Sequence, residues 1–160
     1  DDFNRTVQIS QVYLPEGVLD PNNQRGAALT AGGIITLQNG VYRVLGDGPL
    51  PGAEVEVLTL WQVQEETDQE IVFFTHALDS FGELIAQQDL SSAPSWNWQP
   101  GDLIIQVHRF TLPDQTPPGL LRLAVGAYTL PDTERLSFND AEGTPMGDTV
   151  VVGGFEVAAP

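Results

Sequence analysis

Two long apolar runs, each bounded by proline and glycine, constrain the fold of this chain more than any other feature. Residues 103–112 read LIIQVHRFTL and residues 120–130 read LLRLAVGAYTL. Breakers precede the first run at Pro100 and Gly101, separate the two runs at 113–119, and follow the second. The pattern predicts two β-strands that are too apolar to stand alone, so a second sheet must cover them.

Alternation and turn signals predict further strands along the chain. Residues 53–63 place Val55, Val57, Thr59, Trp61 and Val63 on one face, while Leu58 and Leu60 indicate that the other face is covered over its middle. Turn sequences lie before this strand at 46–52 (GDGPLPG) and further along the chain at 79–82 (DSFG). About eight strands and no amphipathic helix predict an antiparallel two-sheet β-sandwich, and both jelly-roll and immunoglobulin-like connectivity fit this spacing.

The length of 160 residues fits one domain with a sizeable core. Residues 5–14 alternate as an edge strand does, and a stretch with few apolar anchors follows them. We therefore expect residues 1–33 to form an N-terminal edge strand and a linker-like loop, and residues 34–160 to form the sandwich.

The charge balance is strongly acidic, with 22 aspartates and glutamates against six basic residues and a net charge of −16. Such a surface repels phosphate backbones and anionic lipid headgroups, which argues against nucleic-acid binding and electrostatic membrane docking. No apolar run approaches the roughly 20 residues that a membrane span needs, so this segment should not insert into a bilayer.

The inventory of reactive residues predicts no catalytic centre. The chain has no lysine and no cysteine, which removes phosphate-binding loops, Schiff bases and thiolate chemistry. His76 and His108 lie in separate predicted strands without metal-ligand spacing, and we expect each to be a hydrogen-bonded strand residue. The expectation is a chain that is not itself an enzyme and has no catalytic residue, metal or cofactor.

Trp96, Trp98 and Arg109 are the candidate binding residues. The two tryptophans lie two positions apart in a polar loop, where they could form a flat surface for a sugar ring. Arg109 could donate paired hydrogen bonds to the same ligand. The alternative is that Trp98 packs into the core, Trp96 stays half exposed, and Arg109 pairs with a carboxylate.

A succession of motifs resembles one known family of domains. It comprises the strand ending in Leu60-Trp61, EIVFFTHALDSFGELIAQQD at 70–89, WQPGD at 98–102, the PPG turn at 117–119 and LRLAVGAYTLPDTERL at 121–136. Over residues 34–157 the chain is similar to the C-terminal extracytoplasmic β-sandwich of bacterial polytopic membrane glycosyltransferases, relatives of the dolichyl-phosphate-mannose protein mannosyltransferases.

The resemblance implies a non-catalytic accessory domain on the extracytoplasmic face of the cell membrane. Its partner would be the membrane-embedded catalytic portion of the same chain, which uses a polyprenyl-phosphate sugar donor and carries the family's catalytic acids. The domain would position the acceptor or the glycan. Two alternatives remain open: a free-standing carbohydrate-binding, lectin-like module, and a structural sandwich that mediates protein contacts.

Overall fold

The computed structural model of the chain describes residues 29–91 and 93–159, which form ten strands in two antiparallel sheets. The strands are β1 (Leu29–Ala31), β2 (Ile35–Leu45), β3 (Glu54–Val63), β4 (Glu70–Leu78), β5 (Leu84–Asp89), β6 (Leu103–Thr111), β7 (Gly119–Leu130), β8 (Glu134–Arg135), β9 (Phe138–Asn139) and β10 (Val150–Val157). A single 3-10 turn, Ser95–Asn97, interrupts the loop between β5 and β6. The predicted antiparallel β-sandwich is confirmed. Within the described ranges, no helix is long and apolar enough to cross a membrane.

The pairing of the strands is immunoglobulin-like rather than jelly-roll. The first sheet has the order β6-β3-β2-β1-β9, and the second has the order β10-β7-β4-β5 with β8 also beside β7. Among the seven longest strands, the second pairs with the fifth (β3 with β6), the third with the sixth (β4 with β7), and the sixth with the seventh (β7 with β10). These are the neighbours that immunoglobulin sheets have. The fourth strand, β5, joins the sheet of β4.

Three short strands extend the sheets beyond the predicted set. Strand β1 pairs with both β2 and β9, and β8 pairs with the last residues of β7. Leu29–Ala31, which the sequence placed in the linker-like segment 1–33, is therefore part of the first sheet. The strand predicted at 5–14 lies outside the described residues. Segments of two or three residues carry too little alternation to be recognised from sequence.

The core lies between the sheets and is centred on an aromatic cluster. Trp61 of β3 contacts Phe73 of β4 with ring centroids 4.8 Å apart, and Phe138 of β9 lies 6.1 Å from Trp61. The five residues predicted to share the inner face of β3 are all buried. The prediction for the opposite face also holds, because Leu58 and Leu60 form a buried cluster with Ile105.

Strands β2 and β10 each carry a bulge and meet at the side of the sandwich. The register shifts between Leu37 and Asn39 on β2, and between Val151 and Gly153 on β10. Each shift lies at or next to a glycine, Gly40 on β2 and Gly153 on β10. The phenol of Tyr42 on β2 donates a hydrogen bond of 2.6 Å to the carbonyl oxygen of Gly154, which ties the two sheets together.

Candidate functional site

The loop between β5 and β6 is fastened to the start of β4 by serine side chains. The Ser95 hydroxyl accepts from the backbone N–H of Ile71 at 2.9 Å and donates to the carbonyl oxygen of Gln69 at 2.6 Å. The Ser91 hydroxyl donates to the carbonyl oxygen of Ile71 at 2.9 Å. The loop is therefore fixed by hydrogen bonds to a central strand and not only by contacts within the loop.

Trp98 is a core residue. Only 3% of it is exposed, and its ring stacks on Phe73 with centroids 5.8 Å apart. This is the alternative that the sequence allowed, with Trp98 packing inward. The ring is thus unavailable as a stacking surface for a ligand, and its role is to anchor the loop in the sandwich.

Trp96 is held in a fixed position and faces solvent. It is 58% exposed, although Ser95 before it is 1% exposed and Trp98 after it is 3% exposed. The N–H of Asn97 donates to the carbonyl oxygen of Pro94, and that of Trp98 donates to Ser95, each at 3.1 Å, which closes the 3-10 turn. The buried residues Ser95 and Trp98 and the hydrogen-bonded turn therefore position one exposed indole.

A shallow groove of about 920 Å³ lies beside Trp96, at one end of the sandwich. One wall is the β5–β6 loop and the other is the β3–β4 loop, residues 64–69, which is fixed by a 2.7 Å hydrogen bond from the Gln64 N–H to the Ile34 carbonyl oxygen. The lining residues combine indole, carboxylate, hydroxyl and carboxamide groups: Glu66, Thr67, Asp68, Trp96, Asn97, Trp98 and Gln99. The groove thus offers one aromatic face surrounded by hydrogen-bonding groups.

Arg109 lies outside this groove and has a structural partner. Its Nε is 2.6 Å from one oxygen of Glu56, and the Nε of Arg43 is 2.8 Å from the other. Glu56 is only 3% exposed, so the two guanidinium groups compensate a buried carboxylate. Arg109 follows Leu103, the first residue of β6, by six positions, which places it roughly 20 Å along the strand from the groove end. Of the three candidate residues, only Trp96 presents its ring to solvent at the groove.

The polar lining of the groove was not predicted from the sequence. Residues 64–69 read as a polar turn, and their sequence gives no sign that they face Trp96, about 30 positions away. Their approach depends on the chain crossing between sheets after β3 and again after β5. The sequence indicated only a tryptophan in a polar loop, and this residue identifies only one wall of the groove.

Neither histidine lines the groove. His108 is buried, and its Nε2–H donates to the Leu90 carbonyl oxygen at 3.0 Å while Nδ1 accepts from the Thr75 hydroxyl at 2.6 Å. Burial lowers the pKa of His108, in agreement with this neutral tautomer. Burial, and then the charge of Arg135, lower the pKa of His76. Residues 29–91 and 93–159 contain no cluster of histidine and carboxylate groups able to hold a metal ion.

A second aromatic cluster covers the outer face of the second sheet. Phe74 contacts Tyr128 and His76, with ring centroids 6.2 Å and 4.5 Å away, and the Arg135 guanidinium carbon lies 4.8 Å from its centroid. The Tyr128 hydroxyl donates to Asp89 at 2.9 Å, and burial together with this carboxylate raises the pKa of Tyr128 to about 12. The cluster buries Phe74 beneath aromatic and charged neighbours, so we regard it as structural.

The described residues thus define an immunoglobulin-like β-sandwich with an aromatic groove at one end. No protein-family model and no curated protein matches the chain. Among solved structures it is similar to the C-terminal domain of Wzt, with a TM-score of 0.55 and 13% identity over 95% of this chain and 90% of that one. The putative ApaA protein from Bordetella pertussis matches with a TM-score of 0.34 and 13% identity, over 86% of this chain and 98% of that one. The first similarity supports the fold alone, and the second is too weak to support any conclusion.

Proposed function

We propose that this chain is a non-catalytic carbohydrate-binding module that holds a glycan in the Trp96 groove. The observation that carries the proposal is the exposure of Trp96, 58%, in a short turn whose Ser95 and Trp98 are both buried. Unlike an isolated exposed ring, the indole lies in a groove lined by hydrogen-bonding groups. Here hydrogen bonds and core packing hold the ring out of the core, which is the arrangement expected of a binding surface.

The chemistry of the groove suits a sugar. The C–H face of a pyranose is apolar and can stack on indole, while its hydroxyl groups need hydrogen-bond partners. Carboxylates accept hydrogen bonds, and carboxamides both donate and accept them. Glu66, Asp68, Asn97 and Gln99 provide these groups around the ring. Because the turn already fixes Trp96, little conformational entropy is lost when the ligand binds.

Calorimetric titration of the chain with neutral oligosaccharides of glucose, galactose and mannose tests the proposal. We expect saturable binding by at least one series, and a loss of roughly tenfold or more in affinity for Trp96→Ala, since an aromatic contact contributes about 1 kcal/mol beyond the area it buries. Phe81→Ala is the matched control, because Phe81 is 89% exposed in the turn at the opposite end of β4.

Folding must be measured alongside binding. Trp96→Ala should leave the unfolding free energy within about 0.5 kcal/mol of the parent, as expected for an exposed side chain. Trp98→Ala should lower it by about 3–5 kcal/mol because it empties a buried site. Failure of every oligosaccharide series to bind, or unchanged affinity in Trp96→Ala, would exclude the groove as a glycan site.

We further infer the setting of the module from the resemblance to glycosyltransferase domains. The residues that carry this resemblance include Trp61, Phe73 and Trp98, which are core positions here and suit a shared fold. On this basis the module belongs to the extracytoplasmic face of a membrane glycosyltransferase that uses a polyprenyl-phosphate donor, where it positions acceptor or glycan. Protease added to spheroplasts, from which any outer envelope has been removed, should then cleave the module, and protection until the cell membrane is permeabilised would contradict this setting.

A further inference from the structure

We propose that the Trp96 groove selects uncharged glycans and rejects those that carry carboxylate, sulfate or phosphate groups. This inference rests on the carbohydrate-binding function proposed above and names the class of ligand. Its starting point is the charge of the groove, whose described lining includes two exposed carboxylates, Glu66 and Asp68, and no basic residue.

The surroundings of the groove add to the negative charge. Glu65 lies in the same loop and Glu70 directly follows it, and both are exposed. On the other wall, the Asp102 carboxylate accepts a 2.9 Å hydrogen bond from the Gln99 N–H, which places its charge beneath a lining residue. Glu66 and Asp68 line the groove itself, so their charges lie within a Debye length of a bound ligand, about 10 Å at 0.1 M salt, and are incompletely screened from it.

None of the four described arginines lines the groove, and all four belong to strands rather than to the two loops that form it. Two of them compensate the buried Glu56 and one pairs with Asp148 at 3.5 Å. The four are Arg43, Arg109, Arg122 and Arg135. An anionic sugar that entered the groove would meet repulsion from carboxylates without a guanidinium to pair with.

A neutral sugar meets the same carboxylates as acceptors. Its hydroxyl groups donate hydrogen bonds, and an ionised carboxylate accepts them more strongly than a neutral oxygen does. The groups that exclude an anion therefore also retain a neutral polyol. Selectivity and affinity come from the same two side chains, Glu66 and Asp68.

Matched ligand pairs test the selectivity by calorimetry. The probes are galactose oligosaccharides and oligogalacturonides of equal length, together with glucose and glucuronate oligosaccharides, at 20 mM and 300 mM NaCl. For the parent chain we expect the neutral member to bind roughly tenfold more tightly at low salt, and the ratio to shrink at high salt. The double variant Glu66→Gln, Asp68→Asn should reduce the ratio to about threefold or less.

A matched control removes two exposed carboxylates at the other end of the sandwich. Asp47→Asn, Glu83→Gln has the same net charge as the groove variant, and it should keep the parent ratio. Equal binding of both ligand classes that is lost in Trp96→Ala would overturn the selectivity and leave the glycan site standing. If no ligand binds, both the glycan site and its selectivity are overturned. An unchanged ratio of neutral to anionic affinity in the Glu66→Gln, Asp68→Asn variant would contradict the role proposed for these carboxylates, because other groups would then set the ratio.

Discussion

At the scale of single residues, His108 links protonation to stability. Its imidazole joins β6 of the first sheet to Thr75 on β4 of the second, and burial lowers its pKa below the ordinary value near 6.5. The unfolded chain then binds a proton more readily than the folded one. The stabilisation that depends on neutral His108 is fully present above pH 6.5. It is lost progressively as the pH falls from there towards the pKa of the folded state.

We expect the unfolding free energy to fall between pH 7.5 and 5.5, and His108→Gln to show a shallower decline. Glutamine does not titrate, and a single proton accounts for at most about 1.4 kcal/mol per pH unit. Urea denaturation of both proteins at pH 7.5, 6.5 and 5.5 measures the two slopes. The carboxylates and His76 are present in both proteins, so parallel slopes would show that His108 is protonated in the folded state without cost.

A candidate binding residue can be recognised in a sequence from its amino-acid type even when the residues that surround it in the fold cannot. The loop tryptophans were recognised as candidate binding residues, and the alternative interpretation placed Trp98 in the core and left Trp96 half exposed, as the structure has them. What separates them is the 3-10 turn, which turns Trp98 towards Phe73 and Trp96 towards solvent. Arg109 was a candidate because arginine suits ligand binding, but its carboxylate partner, Glu56, lies 53 positions away on a neighbouring strand.

At the scale of elements, Gly126 of β7 leaves the space into which Phe74 of β4 packs. A Cβ at this position would overlap the edge of the Phe74 ring and lie 2.8 Å from the carbonyl oxygen of Asp148. The ring can shift only by disturbing its contacts with Tyr128 and Arg135. The outer aromatic cluster therefore depends on the absence of a side chain in the facing strand.

Gly126→Ala should destabilise the chain by about 2 kcal/mol, within the range for overpacked sites. In a Phe74→Leu background the same substitution should cost measurably less, because the ring that causes the overlap is gone. Thermal or urea denaturation of the four members of this cycle measures the coupling. Additive effects would mean that the clash with the backbone of Asp148, rather than with Phe74, dominates.

Element patterns explain why most of the sandwich could be predicted. Strand β3 alternates cleanly, and proline or glycine marks the turns on both sides of β6 and β7, so these elements are recognisable without knowledge of their partners. Strands β8 and β9 have two residues each, and they exist because the chain passes between the sheets there. Immunoglobulin-like connectivity is a property of strand pairing, which the spacing of strands alone does not determine.

At the scale of the whole molecule, the excess of negative charge should make stability depend on salt. With a net charge of −16, the folded surface repels itself more strongly than the expanded chain does. We expect the melting temperature to rise by a few degrees between 10 mM and 300 mM NaCl, as screening weakens this repulsion. Differential scanning calorimetry at several salt concentrations checks the prediction.

A less acidic variant provides the comparison. Asp47→Asn, Glu83→Gln and Glu142→Gln neutralise exposed side chains in three different turns. The combined variant should gain less from added salt than the parent. An equal rise in both proteins would attribute the effect to general salting-out of apolar surface rather than to charge repulsion.

In the β5–β6 loop, the residues that hold the loop in place are different from the residue that faces the groove. Ser91 and Ser95 bind the backbone of β4, and backbone groups are the same whatever side chains that strand carries. Trp96 and the polar residues opposite it contribute little to the core. Over evolutionary time, mutation can therefore change which ligand the groove accepts while folding is left almost untouched, so descendants of one scaffold can diverge in recognition without first losing stability.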